Sequence, residues 1–374
     1  MDADAGPFSL TREPNNSHIF GDIMDVYDEL VDYYNALNAS GAGNDTFVPN
    51  PNTFACEPFA PEAALGAAVC AFCTALFLLA APGNLLVGVV LSSGTHTLLP
   101  SDVYLLHLAA ADTLLSLALP FWGWAALLGW VFGDAACKLL SLLLELSFYS
   151  SILLLACISA DRYRLVVRPA QSRREARGKR DWLMCVTVWA LGAVLSLPAL
   201  FRVAERPAGS DRTICVDSYS PDSASAWRLA TRVVRHTLGF LLPLAVMLLC
   251  YGAAAARLRR VRSPRGRRAR QLIVAVVGAF LLCWAPHHVA VMADTLQRVW
   301  LVPHGCAARR VVGGAEFATQ CLGFLHSLAN PVLYAFMGHR FREDLLRRFR
   351  NRVLCQGSEG PRNSRSGSQT SSGL

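Results

Sequence analysis

The run LLLACISADRYRLVVRP, Leu153 to Pro169, passes from hydrocarbon into an acid, a base and a phenol side by side: Asp161, Arg162 and Tyr163. Three such groups at the end of an oily helix can hold or release one another by ion pairing and hydrogen bonding. They do not form a nucleophile with its base. No other stretch supplies such a set or workable metal-ligand spacing, and the neighbours His287 and His288 suit a pocket lining better than catalysis. The chemistry on offer is electrostatic, and the chain is not expected to be an enzyme.

Other polar groups stand inside apolar runs, where each needs a partner or a task. Asp112 lies in mid-run, and Asn84, Ser151, Ser327 and Asn330 fall at comparable depth by residue counting. A carboxylate ringed by hydroxyls and amides can hold a hydrated Na⁺ ion. The alternative is a protonated Asp112 in a structural hydrogen-bond network. Nearer the other end of the runs stand Glu145, Arg228, Arg232, Arg235, Asp294 and Glu316. The three arginines are three or four residues apart, on one helical face, and are expected to line a polar, water-filled cavity; snorkelling to headgroups is an alternative for Arg228 alone.

The elements that must position these groups are membrane spans. The chain has 374 residues, 53% hydrophobic and 17% charged, where a soluble domain carries about a quarter charged. At roughly 20 apolar residues per crossing, seven runs qualify: 62–91, 101–126, 135–161, 182–201, 227–255, 271–297 and 309–337. The fifth and seventh are weaker, with charge in their outer halves. The opening MDADAGPFSL lacks a basic start and an apolar centre, so span one is expected to act as its own insertion signal. Pro120, Pro198, Pro243, Pro286 and Pro331 fall inside runs, where proline permits kinks and hence two packings of similar energy.

Charge sets the orientation. Residues 1–56 hold nine acids and one base, whereas 257–270 hold eight Arg and no acid. The segments 162–180 and 340–352 are also Arg-rich. These basic segments follow spans three, five and seven, which places them in the cytoplasm and the N-terminus outside. Alternation of this kind argues for a membrane and against nucleic acid as the reason for the net +8. Of twelve Cys, seven lie in spans as small apolar fillers, and Cys56, Cys137, Cys215 and Cys306 face outward. Four outward thiols suggest two bridges with three possible pairings. The twelfth, Cys355, is a candidate for palmitoylation.

The expected organisation is an acidic outer tail over 1–60, a seven-span bundle over 61–338, an amphipathic membrane-surface helix over 339–355 and a Ser/Thr-rich cytoplasmic tail over 356–374. The outer tail carries glycosylation sequons at Asn15, Asn38 and Asn44, and Tyr27, Tyr33 and Tyr34 lie among acids in a setting suited to sulfation. The amphipathic helix would rest on inner-leaflet lipid, and the final tail offers phosphorylation sites.

The motifs then fall in order, one per span: Gly83-Asn84, LAAAD ending at Asp112, Asp161-Arg162-Tyr163, Trp189, Pro243 with Tyr251, Cys283 to Pro286 as CWAP, and Asn330-Pro331 to Tyr334 as NPVLY. With these the chain resembles the class A, rhodopsin-like G-protein-coupled receptors across nearly all of 60–350. The resemblance implies an all-α fold, a seven-transmembrane bundle with a short cytoplasmic eighth helix. It implies that Asp161 holds Arg162 until an outward swing of span six lets Arg162 meet a Gα subunit. Tyr251 and Tyr334 would steady the open form, Ile152, Pro243 and Phe280 would form the packing trio, and Trp284 would be the toggle beneath the ligand.

Within that class GWVFGDAACK, FYSSILLLACIS and ADTLQR look like the CXC chemokine receptors, with the strongest likeness to the interleukin-8 receptor pair. This implies bridges Cys137–Cys215 and Cys56–Cys306, and a ligand that is a basic, secreted CXC chemokine of the Glu-Leu-Arg type. The implied ligand-facing residues are Tyr27, Tyr33, Tyr34, Trp122, Glu145, Arg228, Arg232, Arg235, Asp294, Glu316 and Gln320; Gln320 replaces a family glutamate. Implied partners are a heterotrimeric G protein of the Gi type, for leukocyte chemotaxis, and arrestin and receptor kinases at the tail. A multi-pass plasma-membrane location follows. Beyond a possible Na⁺ no cofactor or metal is implied. The turn after Tyr163 reads Arg164 to Pro169 as RLVVRP instead of the usual sequence, so a decoy that internalises ligand without signalling is the rival reading. A retinal protein would need a span-seven lysine, and the only lysines are Lys138 and Lys179.

Overall fold

The first apolar run forms one uninterrupted helix, α1, Ala63–Ser92. Its 30 residues rise about 45 Å at 1.5 Å each, more than the hydrocarbon thickness. The computed structural model describes residues 59, 61–92, 100–167, 177–206, 211–220, 222–259, 264–299, 301–302 and 305–337. The expectations for Tyr27, Tyr33, Tyr34, Asn15, Asn38, Asn44, Cys56, the helix over 339–355, Cys355 and the tail lie outside the described residues, and so does the side chain of Tyr334.

After α1 come α2 (Pro100–Leu128), α3 (Gly133–Val167) and α4 (Arg177–Ser196). A hairpin of β1 (Arg202–Glu205) and β2 (Ile214–Asp217) follows. The fifth rod, α5, runs through Ala224–His236, a π turn at Thr237–Leu241, and Leu242–Arg259. Then come α6 (Pro264–Arg298) and α7, which consists of Cys306–Phe324 and His326–Met337. Six of these rods are long and apolar enough to cross a membrane by composition alone. The seventh, with Arg309, Arg310 and Glu316 in its outer part, packs against α6 and α1 and completes the bundle.

Burial is turned outward in the manner lipid requires. Leu249 is 74% exposed while Asp112 is 0% exposed; hydrocarbon solvates the first, and only a protein interior can solvate the second. α3 is the central rod, touching α2, α4, α5 and β1. One core cluster, with Phe148, Ile152, Tyr251, Phe280 and Trp284, fills the bundle around it. A second, with Cys73, Leu119, Trp130, Cys137 and Phe324, packs α1 and α2 onto the head of α3.

Proline and glycine shape the rods at identifiable points. Pro243 has no N–H for the Gly239 carbonyl, and the backbone relaxes into the π turn just before it. Pro198 departs from expectation: α4 stops at Ser196, and Pro198 opens a 3₁₀ turn, Leu197–Phe201, instead of kinking a continuing helix. Leu325 breaks α7 where Gly323 lies against Trp284; a Cβ at Gly323 would stand 3.0 Å from that ring. A Cβ at Gly123 would meet the Cys73 Cβ at 2.9 Å and the Cys70 Cα at 3.2 Å, so α1 and α2 touch through absent side chains. Gly123→Leu is expected to destabilise the protein by about 1–3 kcal/mol through this overpacking, measured as a lower midpoint of thermal unfolding in detergent.

Candidate functional site

The outer end of the bundle gathers arginines and acids from five elements. Arg235 on α5 reaches Glu145 on α3, with Nη2 2.5 Å from Oε1. Arg202 on β1 stands 3.9 Å from the same carboxylate and 2.8 Å from Asp217, its cross-strand partner. It also donates to Ser141 Oγ at 3.3 Å. One turn above Arg235, Arg232 pairs with Asp294 on α6 at 2.5 Å and donates to Thr295 Oγ1 at 2.9 Å. Arg298 Nε takes the same Asp294 oxygen at 2.6 Å. Each of the two acids therefore carries two arginines, and two ion-pair clasps join the helices at this end. Arg228 is exposed, and among the described residues it makes no ion pair.

The helix periodicity explains the clasp. Arg232 and Arg235 sit three apart on α5, about 60° from one another around the helix, and from this shared face Arg232 reaches Asp294 of α6 while Arg235 reaches Glu145 of α3. The expectation missed Arg202 because loop position says nothing about reach. The hairpin is brought over α3 by the bridge between Cys137 and Cys215, whose Cα atoms are 5.7 Å apart, and by Trp130 N–H donating to Thr213 at 2.7 Å. Cys306 is also disulfide-bonded.

Below the clasps lies an aromatic and imidazole floor. The Arg235 guanidinium stacks 5.1 Å above the Phe148 ring, and Phe148 meets Trp284 edge-on at 4.6 Å. His236 of α5 and His288 of α6 share a hydrogen bond, with their Nδ1 atoms 2.9 Å apart. Trp122 is half-buried and packs on Trp130 at 5.2 Å. Gln320 is half-buried on α7, one turn inward of Glu316. Ile152 and Phe280 lie with Trp284 in one cluster, and Pro243 is fully buried. Pro286 sits inside α6, two residues below the buried His288.

In the middle of the bundle both Asp112 oxygens are engaged. Ser151 Oγ donates to Oδ1 at 2.8 Å, and Asn330 Nδ2 donates to Oδ2 at 2.6 Å. Asn84 turns to backbone instead, donating to the carbonyls of Ala80 at 2.9 Å and Ser327 at 2.8 Å. The Ser327 hydroxyl donates to Phe324 at 2.9 Å. Pro331 is buried, and its ring would meet a Cβ placed at Gly83 at 3.3 Å. Four of the five residues counted to this depth thus join α1, α2, α3 and α7, with Ser327 contributing its carbonyl.

At the inner end Asp161 is buried and partnered, and Arg162 and Tyr163 are half-buried. Tyr251 of α5 is buried within electrostatic reach of Arg162. Asp181 of α4, missed in the sequence, is buried nearby and accepts from Tyr104 at 3.0 Å.

Comparison with known proteins matches residues 83–334 to the seven-transmembrane receptor family of the rhodopsin type. The chain is 44% identical over 273 residues to C-X-C chemokine receptor type 1 of Pongo pygmaeus, covering 73% of this chain and 77% of that one. It is 43% identical to the Homo sapiens type 1 receptor over the same shares of both chains. It is 43% identical over 275 residues to C-X-C chemokine receptor type 2 of Bos taurus, covering 73% and 75%.

Glu145→Ala strands Arg235 half-buried without its carboxylate. It is expected to cost about 2 kcal/mol, below the figure for a fully buried pair, and Glu145→Ala with Arg235→Met should recover part of that loss. Thermal unfolding of both variants in detergent checks this.

Proposed function

The chain belongs to the rhodopsin family of seven-transmembrane receptors, in its chemokine-receptor branch, and from that premise we propose that its outer end receives a basic CXC chemokine of the Glu-Leu-Arg type while its inner end drives nucleotide exchange on a Gi-class heterotrimer. Membership makes it a G-protein-coupled chemokine receptor, a multi-pass plasma-membrane protein and not an enzyme. Leukocyte chemotaxis is the proposed outcome. The observation that carries the reading is the pair of clasps, Arg235–Glu145 and Arg232–Asp294, closed across α3, α5 and α6 directly above Phe148 and Trp284.

The steps follow from charge and packing. The acidic segment 1–56 raises the encounter rate of a basic ligand. A flexible ligand N-terminus then exchanges charged groups with the clasps, and every contact stronger in one packing than the other shifts the population. Phe148 transmits the change to Trp284, and α6 pivots at Pro286, where the Leu282 carbonyl already lacks its N–H partner. The pivot frees Arg162 for the G protein. Phosphorylation of the terminal Ser/Thr residues would recruit arrestin through added charge.

Asp112, Ser151, Ser327, Asn84 and Asn330 offer carboxylate, hydroxyl and amide oxygens, a donor set that fits a hard monovalent cation provided Asn330 presents its oxygen. Na⁺ there would supply a countercharge to Asp112. Asp112 and Asn330 would then join α2 to α7 and favour the inactive packing.

Two measurements test this. In membranes carrying the receptor, a panel of CXC chemokines should stimulate nucleotide exchange on Gi, and Arg162→Ala should abolish exchange while leaving ligand binding intact. Ligand binding without exchange by the unsubstituted receptor would favour the decoy. Added Na⁺ should weaken agonist binding, by the reciprocity of linked sites, and Asp112→Asn should remove that dependence.

A further inference from the structure

Four of the nine histidines form a connected set of rings beside Trp284. His287 and His326 lie 6.3 and 6.2 Å from Trp284, His288 lies 6.0 Å from His287, and His236 of α5 lies 5.0 Å from His288. The ion-pair clasps and the Asp112 network use none of them. His236 and His288 differ from the other two. They come from different rods, are 7% and 4% exposed, and bring their Nδ1 atoms to 2.9 Å. As neutral imidazoles they share one proton across that gap. Among the described residues the far nitrogens, Nε2 of both rings, are buried without a hydrogen-bond partner. Two polar rings withdrawn from water for a single neutral hydrogen bond are costly packing.

The pair does offer two nitrogen lone pairs that converge on one point from α5 and α6. Imidazole nitrogens bind Zn²⁺ at about 2.0–2.1 Å, so two of them at a tetrahedral angle stand about 3.3–3.4 Å apart. The gap between His236 and His288 would widen by about half an ångström to admit the ion. The shared proton would move to Nε2 of its own ring, leaving both rings neutral and both Nδ1 atoms free to ligate. One ring is already held in orientation, since Phe240 stacks on His288 at 4.4 Å. Among the described residues no third His, Cys, Asp or Glu joins the pair, and His287 turns to the backbone of Glu316 instead. The protein therefore supplies two ligands, and water completes the shell.

We propose that His236 and His288 form a Zn²⁺ site that joins α5 to α6. The surrounding charge permits it. Arg235, adjacent to His236 in the chain, is paired with Glu145, and Arg232 is paired with Asp294, so the nearest positive charges are compensated. His288 stands two residues from Pro286 inside α6. An ion on the pair ties the two rods beside that pivot and favours the packing in which the two nitrogens face each other. The site does not depend on the ligand class proposed above.

The test uses the full-length, ligand-free receptor in detergent, titrated with Zn²⁺ alone and followed by thermal unfolding. Each variant is compared with its own metal-free midpoint. An ion that binds only the folded state raises the midpoint, and a chelator should reverse the rise. His236→Gln and His288→Gln should each raise the Zn²⁺ concentration needed for half the effect by about tenfold or more. The double substitution should lose no more than either single one, because one site is removed in all three. His288→Cys, which offers a thiolate in place of the imidazole, should keep the rise. No rise in the unsubstituted receptor, or a fall, overturns the assignment. So does a rise of the same size in both Gln variants, which places the ion elsewhere, or its loss in His288→Cys, which reduces the substitutions to an effect on packing.

Discussion

Charge inside a hydrocarbon slab has to be compensated by the protein itself, and the arrangement of this receptor follows from that constraint. Glu145, Asp294, Arg232 and Arg235 are largely withdrawn from water at the outer end of the bundle, and each finds its opposite on another rod. The solution is two acids with two arginines each, drawn from β1, α3, α5 and α6. Because each clasp joins different rods, the same contacts that make the charges tolerable also fix the relative positions of the helices. A charged ligand that trades places with any member must therefore change how those helices lie together.

α3 is the rod through which this is felt along the depth of the membrane. It carries Glu145 in the outer clasp, Phe148 under Arg235, Ile152 in the core, Ser151 on Asp112, and Asp161 and Arg162 at the inner end. The irregular backbone lies in other rods. α5 is softened by a π turn, α6 by Pro286 and α7 by the break at Leu325. A rigid central post surrounded by hinged rods permits two packings without unfolding. The contact of Trp284 with Phe148 on one side and Gly323 on the other puts α3, α6 and α7 at one point.

Much of this is legible in the linear chain because lipid imposes a coarse rule. Runs of some twenty apolar residues must be helices, since nothing else satisfies the backbone there, and the arginine bias of alternate loops sets their direction. Proline and polar positions inside the runs are visible for the same reason: they are expensive, so each stands out. Asp112, Ser151 and Asn330 could be assigned a common depth by counting, and they do meet.

What counting could not supply is the angular position of each rod and the reach of each loop. Asn84 has the right depth, yet its amide goes to the carbonyls of Ala80 and Ser327. Arg228, Arg232 and Arg235 share a helical face in sequence, but among the described residues only the inner two meet acids. Arg202 reaches Glu145 because a disulfide and a hairpin register carry it over α3, across 57 residues of chain. Pro198 ends a helix instead of bending one. The sequence by itself determined the spans, their direction and the depth of each polar group, because transfer free energy acts residue by residue. Which acid holds which arginine was decided only by the tertiary structure, because pairing depends on rotation and distance between rods that local sequence does not encode.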